Sequence, residues 1–241
     1  MKKLLTTLAI ALVGLSGTSA QATNLVTNGN FEQTTNGNGQ LGFNTTVTGW
    51  TSNGYNFVYA PGTADTSGAV GVDGNVKLWG PGNGSANGLT TSPDGGNFLA
   101  ADGAYEVGAI KQTINGLVAG QQYNVSFDWA GAQQSGFTGV TTEQWAVSLG
   151  NETLSTQILT DANHGFTGWL SDTLTFTATG SSEVLSFLAN GTPNGEPPFS
   201  LLDGVSMTAT VPEPGTIWEM MIGAVGLIAF ALLRRRHANK A

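Results

Sequence analysis

A two-residue alternation of apolar and polar side chains governs the middle of this chain. Tyr123, Val125, Phe127 and Trp129 alternate with Asn124, Ser126 and Asp128, and Trp145, Val147 and Leu149 alternate with Gln144, Ala146 and Ser148. Leu174, Phe176 and Ala178 alternate with threonines, and Leu185, Phe187 and Ala189 extend a further run. Successive side chains of a strand point to opposite faces, so each run has one buried and one wet face, as in antiparallel sheets. Asn115-Gly116, Gly150-Asn151, Gly180-Ser181 and Asn190-Gly191 punctuate the runs with dipeptides that tolerate the positive φ of tight turns. No helical period appears between Thr23 and Thr210. The pattern predicts an all-β fold, a single antiparallel β-sandwich over residues 23–210.

The stretch from Thr34 to Gly96 is less regular, with Trp50, Tyr55, Phe57, Tyr59 and Trp79 spread among Gly, Asn and Ser. It reads as a few short strands joined by long surface loops. Disorder is the competing reading of a chain with 35 glycines in 241 residues, about twice the usual share. Five tryptophans in the body and the regular alternation argue against it. No cysteine is present, so disulfides take no part, and a body of this size buries enough surface without them.

The two ends have their own logic. Lys2 and Lys3, the apolar run Leu4 to Leu15, and Ala20-Gln21-Ala22 read as a secretory signal peptide over residues 1–22, leaving a chain that starts at Thr23. Val211-Pro212-Glu213-Pro214-Gly215 is an extended linker, since proline fixes φ and disfavours helix in the residue before it. The stretch Thr216 to Leu233, apolar but for Glu219, follows and spans about 27 Å at 1.5 Å per residue, giving a transmembrane helix over residues 217–233. Arg234, Arg235 and Arg236 open a basic tail, residues 234–241, expected to stay cytoplasmic by the positive-inside rule. Both ends place the body outside.

Charge excludes one class of partner. Fourteen of the 16 acidic residues lie in the body against two cations, Lys77 and Lys111, for a net charge of about −12. Such a surface repels phosphate backbones, which rules out nucleic acid, and it suits divalent cations.

The tail, Pro212-Glu213-Pro214 in the linker 211–216 followed by an apolar helix and three arginines, resembles the PEP-CTERM sorting signal of Gram-negative bacteria. That resemblance implies processing by a membrane exosortase, a transient stay in the inner membrane after signal peptidase has acted, and a bacterium that makes extracellular polysaccharide. Glu219 departs from the usual uncharged helix. The body resembles galactose-binding-like jelly rolls and related carbohydrate-binding modules on three segments: Asn24-Leu25-Val26-Thr27-Asn28-Gly29-Asn30-Phe31-Glu32 with Gly49-Trp50 after it, Gly116 to Phe127, and Leu201-Leu202-Asp203-Gly204-Val205-Ser206. It implies a jelly roll whose first and last strands lie side by side, with Glu32 and Asp203 as ligands of one structural calcium ion. The plainer roles are a turn cap for Glu32 and a backbone hydrogen bond for Asp203. Gly204 stands where the family often has a second aspartate.

For sugar binding the chemistry is aromatic stacking with neutral hydrogen-bonding groups. Tyr55, Tyr59 and Trp79 lie among polar loop residues and are candidates, whereas Trp50, Trp129 and Trp145 read as core. An enzyme needs a positioned base, nucleophile or metal. His164, in the turn-like Asp161-Ala162-Asn163-His164-Gly165, is the body's one histidine and reads as a solvated loop residue. Asp128 and Glu143 sit in no hydrolase motif, and no catalytic residue is assigned. The sequons at Asn44, Asn83, Asn124, Asn151 and Asn190 are chance products of an Asn/Thr-rich chain. The sequence thus points to an exported, noncatalytic surface or matrix protein that binds polysaccharide. Its alternatives are an inert matrix component of a biofilm or floc and, behind that, a polysaccharide hydrolase.

Overall fold

The computed structural model describes residues 23–210. The expected signal peptide, the sorting motif Pro212-Glu213-Pro214, the transmembrane helix and the arginine tail lie outside the described residues. Among the described residues no helix is long and apolar enough to cross a membrane, and the helical content is a single 3-10 turn at Pro81–Asn83.

Thirteen strands follow one another: β1 (Gly39–Gln40), β2 (Asn56–Tyr59), β3 (Ala69–Gly71), β4 (Gly74–Val76), β5 (Phe98–Asp102), β6 (Ile110–Asn115), β7 (Gln122–Gln133), β8 (Thr141–Leu149), β9 (Glu152–Ser155), β10 (Leu159–Asp161), β11 (Leu170–Thr177), β12 (Ser182–Thr192) and β13 (Pro198–Ala209). A six-stranded sheet runs β1-β2-β5-β13-β7-β11, and a facing sheet runs β10-β8-β12-β6 with β9 paired to β8. From β5 on, the chain passes back and forth between the sheets, and all of these pairings are antiparallel. The body is a jelly-roll β-sandwich.

The alternation explains the layers. Inward-facing Tyr123, Val125, Phe127 and Trp129 of β7 meet Trp145, Val147 and Leu149 of β8 and Leu185, Phe187 and Ala189 of β12 in one core. Phe187 is its hub, with edge-on contacts to Phe127 at 5.2 Å and Trp145 at 5.9 Å between centroids. The opening segment docks alongside β13. Leu25 N–H donates to the Met207 carbonyl and Val205 N–H to that of Gly29, so the first and last segments are indeed adjacent. A Cβ at Gly29 would stand 1.9 Å from the Val205 carbonyl oxygen, so only glycine permits this approach. Trp50 closes the segment by donating from its indole N–H to the Asn28 carbonyl at 3.0 Å.

Two expectations are corrected. The 34–96 region is more than surface loops, because it covers the outer face of the six-stranded sheet. Phe57, Tyr59, Phe98, Ala100, Phe199 and Leu201 point outward there and form a second core with Ala64, Ala69, Val76 and Leu78. The strands β2 and β5 are therefore buried on both faces, and a strand buried on both faces shows no alternation. Asn190-Gly191 is strand rather than turn, since Asn190 pairs with Gln144 and Gly191 with Glu143. Glycine is needed at 191 for closeness, as a Cβ there would meet Pro198 at 2.3 Å and the Thr142 carbonyl at 2.9 Å.

Candidate functional site

Four segments far apart in sequence meet at one end of the six-stranded sheet, where β5 and β7 finish and β2 and β13 begin. The β3–β4 hairpin brings Asp73 and Asn75, the turn after β5 brings Asp102 and Tyr105, the segment after β7 brings Gln134 and Phe137, and the β12–β13 loop brings Asn194 and Pro197. With Tyr55 at the back they line a cleft of about 340 Å³. Tyr105 is 44% exposed. Its ring stands edge-on to Tyr55 at 5.2 Å, and its hydroxyl donates to Asp73 Oδ2 at 3.2 Å. The ring is thus held from two sides while part of it faces solvent.

Asp102 is the polar anchor of the cleft. Its Oδ1 accepts the amides of Ala104 and Tyr105 at 2.8 and 3.0 Å, which fixes the turn that carries Tyr105. Its Oδ2 is buried and has no partner among the described residues. Burial pushes its carboxyl up to about 6, against the two amides that favour the charge. Burial also raises the Tyr55 phenol to about 12, helped by the charge of Asp73, so Tyr55 stays neutral. Together these groups supply an aromatic face, two carboxylates and neutral amides, all suited to sugar hydroxyls and C–H faces.

The three aromatic candidates fare differently. Tyr55 lines the cleft, although little of its surface is exposed. Tyr59 has no exposed surface and its hydroxyl donates to the Val76 carbonyl at 3.2 Å, so as a stacking platform it is corrected: it is second-core packing. Trp79 is half-buried, with its ring stacked on His164 at 4.0 Å and its N–H bonded to the Phe137 carbonyl. His164 is therefore packed against Trp79 and only half-exposed, contrary to its reading as a solvated residue. Its amide donates to Gln133 and its carbonyl accepts from Ser85 and Asn87, which is a structural role. Sequence reading missed Asp102 and Tyr105, whose local Asp-Gly-Ala-Tyr stretch looks like any turn.

Glu32, in the opening segment, and Asp203, in β13, lie close enough for the charge of one to act on the other. Asp203 is fully buried and neither carboxylate oxygen has a hydrogen bond of proper geometry. Burial raises it to about 7; the nearby Ser92 hydroxyl and Gly204 amide ease the charge, while Asp94 and Glu32 oppose it. Glu32 accepts the Asn97 amide at 2.5 Å, and Asn97 in turn holds the Phe31 carbonyl. Gly204, at a β-bulge with φ 58°, lets β13 shift register against β7 just after Asp203. Among the described residues no three His, Cys, Asp or Glu side chains converge closely enough to cage a metal by themselves. The donors thus fit calcium in kind, with orphaned carboxylate oxygens at the centre, and in number only if Ser92 and backbone carbonyls contribute. A groove of about 530 Å³ beside them is lined by Asn24, Asn28, Asn30, Gln33, Asp94 and Ser206, with no aromatic ring.

Among solved structures, the module TmCBM61 in complex with β-1,4-galactotriose is 16% identical, over 78% of this chain and 100% of its own, with a TM-score of 0.43. The CBM22-1 xylan-binding domain of Xyn10C from Paenibacillus barcinonensis is 13% identical over 79% of this chain and 97% of its own, TM-score 0.40. An arabinose-bound GH51 α-L-arabinofuranosidase is 16% identical over 82% of this chain but 28% of its own length, TM-score 0.43. These are likenesses of general shape. No curated protein matches the chain. Residues 210–236 match the PEP-CTERM protein-sorting motif, and residues 70–207, more than half the chain, match the model of DUF642, a protein of unknown function. The chain belongs to the DUF642 family and carries a PEP-CTERM sorting motif at its C-terminal end.

Proposed function

We propose that this is an exported, noncatalytic polysaccharide-binding protein of the cell surface or extracellular matrix, sorted by its PEP-CTERM motif. The motif match supports passage across the inner membrane, transient anchoring there and processing by an exosortase, with signal peptidase acting at the other end. The observation that carries the binding role is the cleft: a Tyr105 ring that partly faces solvent, beside the exposed Asp73 carboxylate that holds its hydroxyl. A ring stacks on a sugar face, and the exposed Asp73 carboxylate and Asn194 amide that line the same cleft bond to sugar hydroxyls. The Glu32–Asp203 cluster serves as a structural calcium site that ties the opening segment to β13.

A glycan array probed with the purified full chain tests the proposal, because an inert matrix component binds no glycan. One observation favours a hydrolase as the second reading, namely that Asp73 and Asp102 share the cleft and Asp102 holds its proton to about 6. Glycoside hydrolysis uses two carboxyl groups that share a cleft, one of them kept protonated by its surroundings. Release of reducing sugar from any polysaccharide that binds, abolished by Asp102→Asn, decides for that reading over ours.

A further inference from the structure

A separate set of buried oxygens lies between the sheets. Glu143 and Thr141 continue the inward phase of β8 beyond Trp145, so they point into the sandwich. Asp161 of β10 pairs with Thr141 in register. From the opposite sheet, Ser200 of β13 stands opposite Gly131 of β7. Relative exposure is 0% for Thr141, Glu143 and Ser200 and 2% for Asp161. Thr141 Oγ1, both oxygens of Glu143, Asp161 Oδ2 and Ser200 Oγ all lack a hydrogen-bond partner among the described residues.

Gly131, the partner of Ser200 on the next strand, faces Glu143 across the sandwich, and Asp161 lies close enough to Glu143 for its charge to be felt there. A Cβ at Gly131 would come within 2.6 Å of Glu143 Oε2, and one at Gly165 within 2.0 Å of Asp161 Oδ1. Glycine at both places leaves room for the carboxylates. Burial raises Glu143 to about 8, and the like charge of Asp161 adds to the rise, while the adjacent Thr141 hydroxyl opposes it. Asp161 is raised to about 7, again by burial. No cationic side chain enters either balance. Buried polar groups are almost always satisfied, and three carboxyl oxygens with two hydroxyls left without partners, and no cation beside them, point to a missing partner that is positive and accepts oxygen ligands.

We propose that Glu143, Asp161, Thr141 and Ser200 hold a divalent cation of the calcium class inside the sandwich, separate from the Glu32–Asp203 cluster. Two carboxylates and two hydroxyls are hard donors, and a calcium ion accepts six to eight such oxygens with flexible geometry, so backbone carbonyls complete the set. Because β8 and β10 belong to one sheet and β13 to the other, the ion clamps the sheets together. The full chain, purified in detergent and stripped with chelator, is titrated with calcium chloride and its bound equivalents counted by equilibrium dialysis. Relative to wild type, Glu143→Gln with Asp161→Asn loses one equivalent, and Asp203→Asn leaves that equivalent in place. Wild-type stoichiometry in the double variant, or no calcium bound by the wild type, overturns the proposal. Should the double variant fail to fold, Ser200→Ala removes one neutral ligand: a roughly tenfold weakening of one calcium site is expected, and unchanged affinity at every site overturns it.

Discussion

Replacing Asp203 by Asn should stabilise the protein in chelator and cost it stability in calcium. Asp203 has no exposed surface and no hydrogen bond to either oxygen, and its carboxyl is raised to about 7 from an ordinary 3.8. A carboxyl whose folded value is raised binds more protons folded than unfolded, so its stability contribution is full below about pH 4 and lost as pH rises through 7. The gap between the two values amounts to about 4 kcal/mol once the group is ionised at pH 8. Water entry and relaxation around a real buried charge reduce this to ~2 kcal/mol as a working figure. That corresponds to a rise of about 4–8 °C in melting temperature for a domain of this size. Asparagine has the same shape without the charge. At pH 8 in chelator, Asp203→Asn should therefore melt several degrees above wild type, and near pH 4 the two should coincide. In millimolar calcium the order reverses, because a ligand bound only by the folded state stabilises it by mass action and the variant lacks the central ligand. Differential scanning calorimetry across both conditions checks this. If Asp203→Asn is less stable than wild type by the same amount with and without calcium, Asp203 is a structural hydrogen-bonding residue and the argument fails.

The chelated wild type should lose stability steadily from about pH 4 to 8, because Asp203, Asp161 and Glu143 are all raised by burial; a thermal melt series that rises with pH contradicts this. Trp145 is fully buried, and its indole donates to the Leu201 carbonyl at 3.0 Å. Trp145→Ala should cost about 3–5 kcal/mol by urea unfolding, and a loss under about 1 kcal/mol refutes its place at the centre of the core. Gly191→Ala places a Cβ against Pro198 and a backbone carbonyl and should cost about 1–3 kcal/mol; a neutral result means β12 and β13 are looser there. Replacing Pro212, Glu213 and Pro214 with alanines should trap full-length chain in the inner membrane, and mass spectrometry of the native product should find no residue from 217–233. Their presence in the mature protein makes the tail a permanent anchor.

The main core was legible because half-buried strands write their geometry into the sequence. Tyr123 to Trp129 and Trp145 to Leu149 alternate just as the sheets pack. The resemblance of Asn24–Glu32 and Leu201–Ser206 to first and last segments also matched an observed neighbourhood, with Leu25 bonded to Met207. The second core was not legible. Phe57 and Val58 point to opposite faces and both are buried, so the two-residue period vanishes there. Tyr59 shows the consequence, looking like a loop aromatic in sequence while being wholly enclosed. The cleft could not be read either, since Tyr55, Asp73, Tyr105, Phe137 and Asn194 meet only through long-range topology. Glu143 did leave a trace: it occupies an inward position of the β8 alternation, where a carboxylate is unexpected.

The central claim is that the Tyr55–Tyr105–Asp102 cleft binds polysaccharide, and affinity electrophoresis through gels containing single polysaccharides tests it most directly. The wild-type chain should be retarded by at least one polysaccharide. Tyr105→Ala should weaken that retardation about tenfold, the worth of a lost aromatic contact, with only a small fall in melting temperature, since the residue is 44% exposed and gives up one edge-on contact and one surface hydrogen bond. Asp73→Asn should weaken it as well, by removing the exposed carboxylate that holds the Tyr105 hydroxyl. Retardation unchanged in both variants, or no retardation of the wild type by any polysaccharide, contradicts the account.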